Sequence, residues 1–448
     1  MKKLIMSCVF AGYLQSLFAV PVVSDVEMKQ TLPNRTVTIT YKLQDAPAVV
    51  TLDIETNATD GTWASIGGEN IQFVSGAVNR KVTDEDKDEN GLCTIKWRAD
   101  DSWPNHIIGS KGARAVVTAW PLDNTPDYMV VDISASAKPG TARYYTSTNF
   151  LPGTVSNPLY KTTSILMRKI LAKDVVWTMG TVTEFKRKTD GSEDAHEAQL
   201  TNNYYIGVYE VTQSQWALIQ TERPNPSWLQ FEGNKAMRPV ERVCYNEIRC
   251  AANSTTAAAD YQGWPSPPYE GSFLDLLRDK TGIDFDLPSD AEWEYACRAG
   301  HGEGHWGDGS VISKDQNCPN HIPLERFLGS VSTLPDTTGN GTMSTFNTTD
   351  DASVGTAIVG SYRPNSWGLY DMLGNVREIV IDRFVSGETL VNLRGMVYDS
   401  GTGNVVGRGS HYNNIWTQNN RPASRYSGGA GTRSYLSGFR LACRAGLK

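Results

Sequence analysis

Asn365-Ser366-Trp367-Gly368-Leu369-Tyr370-Asp371-Met372-Leu373-Gly374-Asn375-Val376-Arg377-Glu378 is the stretch on which the reading of this chain turns. Glycine and asparagine are the residues that most readily enter left-handed backbone, so Gly374-Asn375 marks a tight turn. The same chemistry recurs around it, most densely from Gly428 to Gly431. Helix signals are few. Thr212 stands before Gln213-Ser214-Gln215-Trp216-Ala217-Leu218-Ile219 as an N-cap, and Ser289-Asp290-Ala291-Glu292 is a capping box opening on Trp293. Few helices, many turns and many aromatics predict a loop-dominated α+β domain over 158–448.

Outward from this region, the 448-residue chain carries 42 basic and 49 acidic residues, a net charge of -7. That balance lacks the basic footprint of a nucleic-acid binder. With 40 glycines, 12 tryptophans and 19 tyrosines, the composition favours turns held by aromatic packing. At the other end, Lys2 and Lys3 precede a largely apolar run from Leu4 to Ala19. Residues 1–20 read as a signal peptide, too short in its apolar part for a membrane span, and predict a secreted, periplasmic or cell-surface protein. Of seven cysteines, Cys8 lies in that leader; the others are Cys93, Cys244, Cys250, Cys297, Cys318 and Cys443. None forms a Cys-x-x-Cys, so a zinc ribbon or a thioredoxin-type redox site has no support.

Residues 22–136 have a different texture. Short alternating runs at 37–41, 48–54, 94–97, 115–119 and 128–133 are spaced by turns, which predicts an immunoglobulin-like or fibronectin-like β-sandwich. Residues 137–157, rich in Ser, Thr, Pro and Gly, read as a linker. Asp86-x-Asp88-x-Asn90-Gly91 has the front half of a calcium loop, but Trp97 stands where the bidentate Glu belongs, and an acidic turn is the simpler reading.

The ordered blocks of the second region resemble the sulfatase-modifying-factor, or formylglycine-generating-enzyme-like, domain family. They run from Trp177-Thr178-Met179-Gly180 through Tyr205-Ile206-Gly207-Val208-Tyr209-Glu210-Val211-Thr212, Arg238-Pro239-Val240 and Val243-Cys244-Tyr245-Asn246-Glu247. Leu287-Pro288-Ser289-Asp290-Ala291-Glu292-Trp293 and Trp306-Gly307-Asp308 follow, then the stretch quoted first, and finally Gly438-Phe439-Arg440. The resemblance implies a variant of the C-type lectin fold; together with the leader, the whole reads as an exported bacterial protein. It also implies structural calcium, one ion at Asp371, Gly374, Val376 and Glu378, another at Asn320, His321, Asp351 and Ser353.

Catalysis in the family rests on copper(I) held by two cysteines after an Arg-Gly-Gly-Ser-like turn; soft thiolates suit that ion. Here Gly407-Arg408-Gly409-Ser410 leads into His411-Tyr412-Asn413-Asn414, and no cysteine occurs between Cys318 and Cys443. Copper coordination of that type is therefore not available. The family resemblance implies a bridge displaced to Cys250–Cys443, and a free Cys297, whose bridging position in other members falls near Pro422 here. His301-x-x-x-His305 is interrupted by two glycines and reads as a surface loop.

The segment from Ser410 to Tyr435 is instead rich in Asn, Ser, Thr, Tyr, Gly and Arg, the mixture that suits adaptable binding loops. It is similar to the hypervariable segment of lectin-fold variable proteins. The expected role is a binding module for a protein or carbohydrate ligand, with Tyr412, Asn413, Trp416, Arg421, Arg425 and Tyr426 at the ligand face and no catalytic residue. The alternative is a formylglycine-generating or related metal-dependent oxidase of protein cysteine.

Overall fold

A computed structural model describes residues 20–57, 60–108, 112–181, 192–228, 235–250, 268–302, 304–311, 355–384, 404–414 and 419–445. The leader, Cys318, Trp416 and the second calcium set (Asn320, His321, Asp351, Ser353) lie outside the described residues.

The N-terminal part is two facing sheets. One runs in the order Val22–Thr31, Thr36–Gln44, Leu92–Arg98, Val74–Gly76; the other is built on Ala48–Asn57, which pairs with Trp63–Ser65, Arg80–Val82 and Ala113–Trp120. Val37, Ile39, Tyr41, Ile95 and Trp97 from the first sheet meet Val50, Leu52, Ile54 and Val117 from the second in one core. Alternation puts these side chains inward on each strand, so the period-two pattern is the direct cause of the sandwich.

The strand Ala48–Asn57 departs from that alternation. Val49 and Thr51 are buried too, on the opposite face. Val49 joins the core of the second region beside Met129, Val131 and Tyr144, and Thr51 accepts a hydrogen bond from Trp120 Nε1 at 2.9 Å.

The boundary between the parts differs from expectation. Tyr128–Asp132, read as a strand of the first module, pairs antiparallel with Ser164–Ile170. It belongs to a five-stranded sheet ordered Arg143–Tyr145, Tyr128–Asp132, Ser164–Ile170, Tyr204–Gly207, Ala442–Arg444. The stretch expected as a linker supplies the edge strand of this sheet, and its Tyr144 N–H reaches back to the Asn79 carbonyl at 2.8 Å. Composition misled here: Ser, Thr and Gly flank a Tyr-Tyr pair that is buried.

Both expected helices form, Gln213–Ile219 and Asp290–Arg298, each with its capping box closed. Two more, Tyr245–Arg249 and Phe273–Thr281, complete the second core with the stack of Trp216 on Phe273, centroids 5.0 Å apart. The last sheet orders Arg425–Gly429, Asn404–Arg408, Arg377–Arg383, Ser437–Gly438. Sheet-rich with few helices, the chain is an α+β protein.

Candidate functional site

Four positive-φ residues, Gly368 at 81°, Asp371 at 53°, Gly374 at 77° and Asn375 at 48°, fold the decisive stretch into a loop leading to the strand Arg377–Arg383. Glu210 holds that loop from behind. One of its oxygens accepts from Asn375 Nδ2 at 2.6 Å and the other from the Val376 N–H at 3.1 Å. The next turn is locked onto it: Gly374 N–H donates to the Gly409 carbonyl, and Tyr412 N–H to the Asn375 carbonyl.

Beneath the loop lies a cluster of buried acids, Glu210, Asp371 and Glu378, against Arg440. Burial and the neighbouring carboxylates push Glu210 far above the ordinary carboxylate range, and burial raises Asp371 to about 6. Both oxygens of Glu378 accept from Arg440, and one also accepts from Trp293 Nε1 at 2.7 Å. Asp371 Oδ2 accepts from the Gly360 N–H at 2.6 Å, leaving Oδ1 buried without a donor. Of the two carboxylates in the expected calcium set of Asp371, Gly374, Val376 and Glu378, Glu378 has about three of its four lone-pair sites taken by Arg440 and Trp293, whereas Asp371 keeps an oxygen without a donor. Among the described residues no group of three His, Cys, Asp or Glu side chains is placed to hold a metal ion.

A second buried network ties the C-terminal segment down. Arg408 donates to Asp290 and pairs with Glu294 at 3.0 Å, Arg425 pairs with Asp290 at 2.8 Å, and Arg421 with Glu193 at 2.8 Å. Burial opposes the charge on Asp290, but Arg408 and Arg425 hold its carboxyl below the ordinary value. Neighbouring Asp382, buried and facing the Asp290 charge, is pushed up to about 8.

This geometry corrects the expected ligand face. Arg421 and Arg425 are buried ion-pair partners, and Tyr412 is buried beside the Glu241 charge. Asn413 is half-buried, and of the described members of that face only Tyr426 is exposed, at 46%. Its ring lies under Arg377, whose guanidinium carbon is 3.4 Å from the ring centre. Two further exposed aromatics, Trp228 and Tyr435, were missed by the sequence reading. Trp228 is 57% exposed under Arg242, and Tyr435 is 39% exposed. Nothing in the local pattern marks Trp228, which lies far from the C-terminal segment in sequence.

The cysteine readings divide. Cys297 is a buried free thiol, as expected, with burial raising its pKa. The bridge Cys250–Cys443 is not formed; both are free, Cys443 fixed in a strand opposite Tyr205 and Cys250 at the end of a short helix. His301 and His305 lie in the loop after Arg298, with His301 Nε2 hydrogen-bonded to Ser366 Oγ at 2.9 Å. Asp86 pairs with Arg80 at 2.6 Å, and Asp88 accepts from the N–H groups of Asn90 and Leu92. That stretch is the acidic turn.

The model of the sulfatase-modifying factor enzyme 1-like domain matches residues 166–445, more than half of the sequence and all the elements just described from the strand Ser164–Ile170 onward. The chain belongs to that family. Among similar members, the chaperone protein LppX of Paenibacillus barcinonensis is 26% identical over 202 residues, 43% of this chain and 66% of that protein. The formylglycine-generating enzyme of Streptomyces coelicolor is 32% identical over 197 residues, 43% of this chain and 57% of the enzyme. The Bos taurus enzyme is 26% identical over 255 residues, 49% and 60% respectively. The chain thus spans less than two thirds of the length of these curated relatives. Of solved structures, Treponema denticola variable protein 1 aligns over 63% of this chain and 96% of its own, at 21% identity and a TM-score of 0.44. PvdO from Pseudomonas aeruginosa aligns over 62% and 94%, at 20% identity and a TM-score of 0.45. Among the described residues of this family member, no helix is long and apolar enough to cross a membrane.

Proposed function

We propose that this family member is an exported binding module on a C-type-lectin-like scaffold, not a copper-dependent oxidase of protein cysteine. One observation carries the reading: the segment after Gly407-Arg408-Gly409-Ser410 contains no cysteine. Amides occupy it instead. Asn414 donates to Ser410 Oγ and to Asn420 Oδ1, and accepts from Asn419 Nδ2 at 3.0 Å. Such a network shapes a loop without supplying a soft metal ligand. The ligand surface is the exposed side carrying Tyr426, Tyr435 and Trp228, and the ligand is a protein or a carbohydrate outside the cell.

The names of the formylglycine-generating relatives favour the oxidase as the second reading. Both readings are tested on the purified chain with copper(I), oxygen and a cysteine-containing sulfatase peptide. The peptide mass is expected to stay unchanged; conversion of its thiol to an aldehyde overturns the binding reading. In parallel, peptide and glycan arrays probed with the wild type and with Tyr426→Ala locate the ligand face. Signal lost in the variant supports it, and equal signal in both overturns it.

A further inference from the structure

We propose that one end of the N-terminal sandwich dips into a lipid surface, a peripheral membrane contact separate from the C-terminal segment. Strand register defines that end. Thr31 and Thr36 close the first hairpin, Thr36 stands opposite Arg98, and Val74 stands opposite Trp97. Three connections therefore leave the first sheet together. They are the turn 32–35, the residues just before Val74, and the stretch after Arg98, which passes through the short helix Ala99–Ser102. Each displays one large apolar side chain, Leu32, Phe73 and Ile107, and all three are more than half exposed.

Two of these side chains are presented by dedicated backbone. Gln30 clamps the chain on both sides of Ile107: its side-chain amide donates to the His106 carbonyl at 3.3 Å and accepts from the Ile108 N–H at 2.8 Å. Phe73 sits at φ 59°, left-handed backbone that a bulky residue adopts only under strain. Core packing does not explain that choice, because the ring is exposed and carries the Arg98 guanidinium, 5.1 Å from its centre. Beside Ile107, the half-buried Trp103 ring stacks on His106 with centroids 3.8 Å apart. Tryptophan with one apolar and one wet side is the residue that favours the bilayer interface.

Charge selects the occupant. Arg35 is paired with Asp100 at 3.0 Å and Arg98 with Asp101 at 3.1 Å, so both arginines of this end are already neutralised. An acidic peptide or a nucleic acid gains little there, whereas a zwitterionic headgroup layer is not repelled. Three apolar tips on three separate connections also suit a fluid surface that closes round each one. A folded partner needs a continuous, shape-matched area.

The test is flotation of the full chain with phosphatidylcholine vesicles, with and without added phosphatidylglycerol. The wild type is expected to float with both, and to change little as salt rises, since the contact is apolar. Phe73→Asn and Ile107→Ser should each weaken partitioning at least about fivefold, while Tyr426→Ala leaves it unchanged. Both variants retain the apolar run Leu4 to Ala19, so any partitioning through that run is common to all and cannot mimic the loss. Asparagine suits left-handed backbone, so a urea melt of Phe73→Asn no weaker than the wild type's separates lost binding from lost structure. Absence of flotation, flotation only on anionic vesicles with release by salt, or full flotation of both variants overturns the proposal. So does self-association that both variants abolish while vesicles are ignored, which would make this end a protein contact.

Discussion

Arg440 grips Glu378 through two parallel hydrogen bonds, Nε and Nη2 each 2.6 Å from a carboxylate oxygen, with both side chains sealed from water. The same guanidinium donates to the Gly207 and Tyr370 carbonyls at 2.9 Å. One side chain thus joins the central sheet, the decisive loop and the strand that follows it. Removing one partner of a buried pair strands the other charge, at a cost of about 3–5 kcal/mol. Arg440→Met is therefore expected to lower the urea midpoint sharply; a loss below about 1 kcal/mol would show that Glu378 accepts a proton or another cation without penalty.

Asp382 gives stability a pH dependence of definite sign. Its folded pKa is about 8, against about 4 in an unfolded chain. Between those values the folded state keeps a proton that the unfolded state has released, so stability is full below about pH 4 and falls as pH rises towards 8. Asp371, at about 6, acts in the same direction over a narrower window. His411, held near 3 by burial and by Arg377, acts oppositely, losing its contribution as pH falls below about 6.5. Asp382→Asn keeps an oxygen for the Asp290 N–H and removes the titration. The gap between denaturation midpoints at pH 5 and pH 8 should narrow in this variant, with Asp371 supplying part of what remains; an unchanged gap would assign the dependence elsewhere.

Gly409 cannot be replaced cheaply. Its φ is +82°, and an added Cβ would stand 2.6 Å from the Met372 carbonyl oxygen and 3.0 Å from Trp293. Left-handed strain and overpacking together put Gly409→Ala at about 2–4 kcal/mol of lost stability. A chemical melt checks this, and a variant as stable as the wild type would show that the turn relaxes.

The thiols supply a further measurement. Cys93, Cys244, Cys250, Cys297 and Cys443 are free and buried. Without reductant, all five should alkylate in denaturant and resist alkylation in buffer, because burial raises each pKa and shields each sulfur. Protection of Cys250 and Cys443 in denaturant would restore the bridge.

Much of this architecture is legible in the sequence because its causes are local. Thr212 with Gln215, and Ser289 with Glu292, announce their helices by side chains that bond their own backbone. Alternation likewise gives the strands of the sandwich. The helix Phe273–Thr281 carried comparable marks, Ser272 as cap and Gly282 in the left-handed C-terminal position, and these were open to reading. Which sheet receives Tyr128–Asp132 depends on a partner that no local pattern names. The site was harder for the same reason. An arginine in a Tyr- and Asn-rich loop looks like a ligand contact until Glu193 and Asp290, remote in sequence, arrive to bury Arg421 and Arg425. The decisive loop was found by its turn residues, whereas Arg242 met Trp228 and the Ser434 carbonyl only through folding.

The first half of the strand Ala48–Asn57 has no outer side: Val50 and Leu52 serve one core, Val49 the other. A polypeptide trimmed to begin at residue 158 would leave behind that contact and two strands of the five-stranded sheet, Tyr128–Asp132 and Arg143–Tyr145. The matched family region therefore borrows part of its wall from the residues that precede it, and a trimmed chain is expected to melt earlier than the whole one.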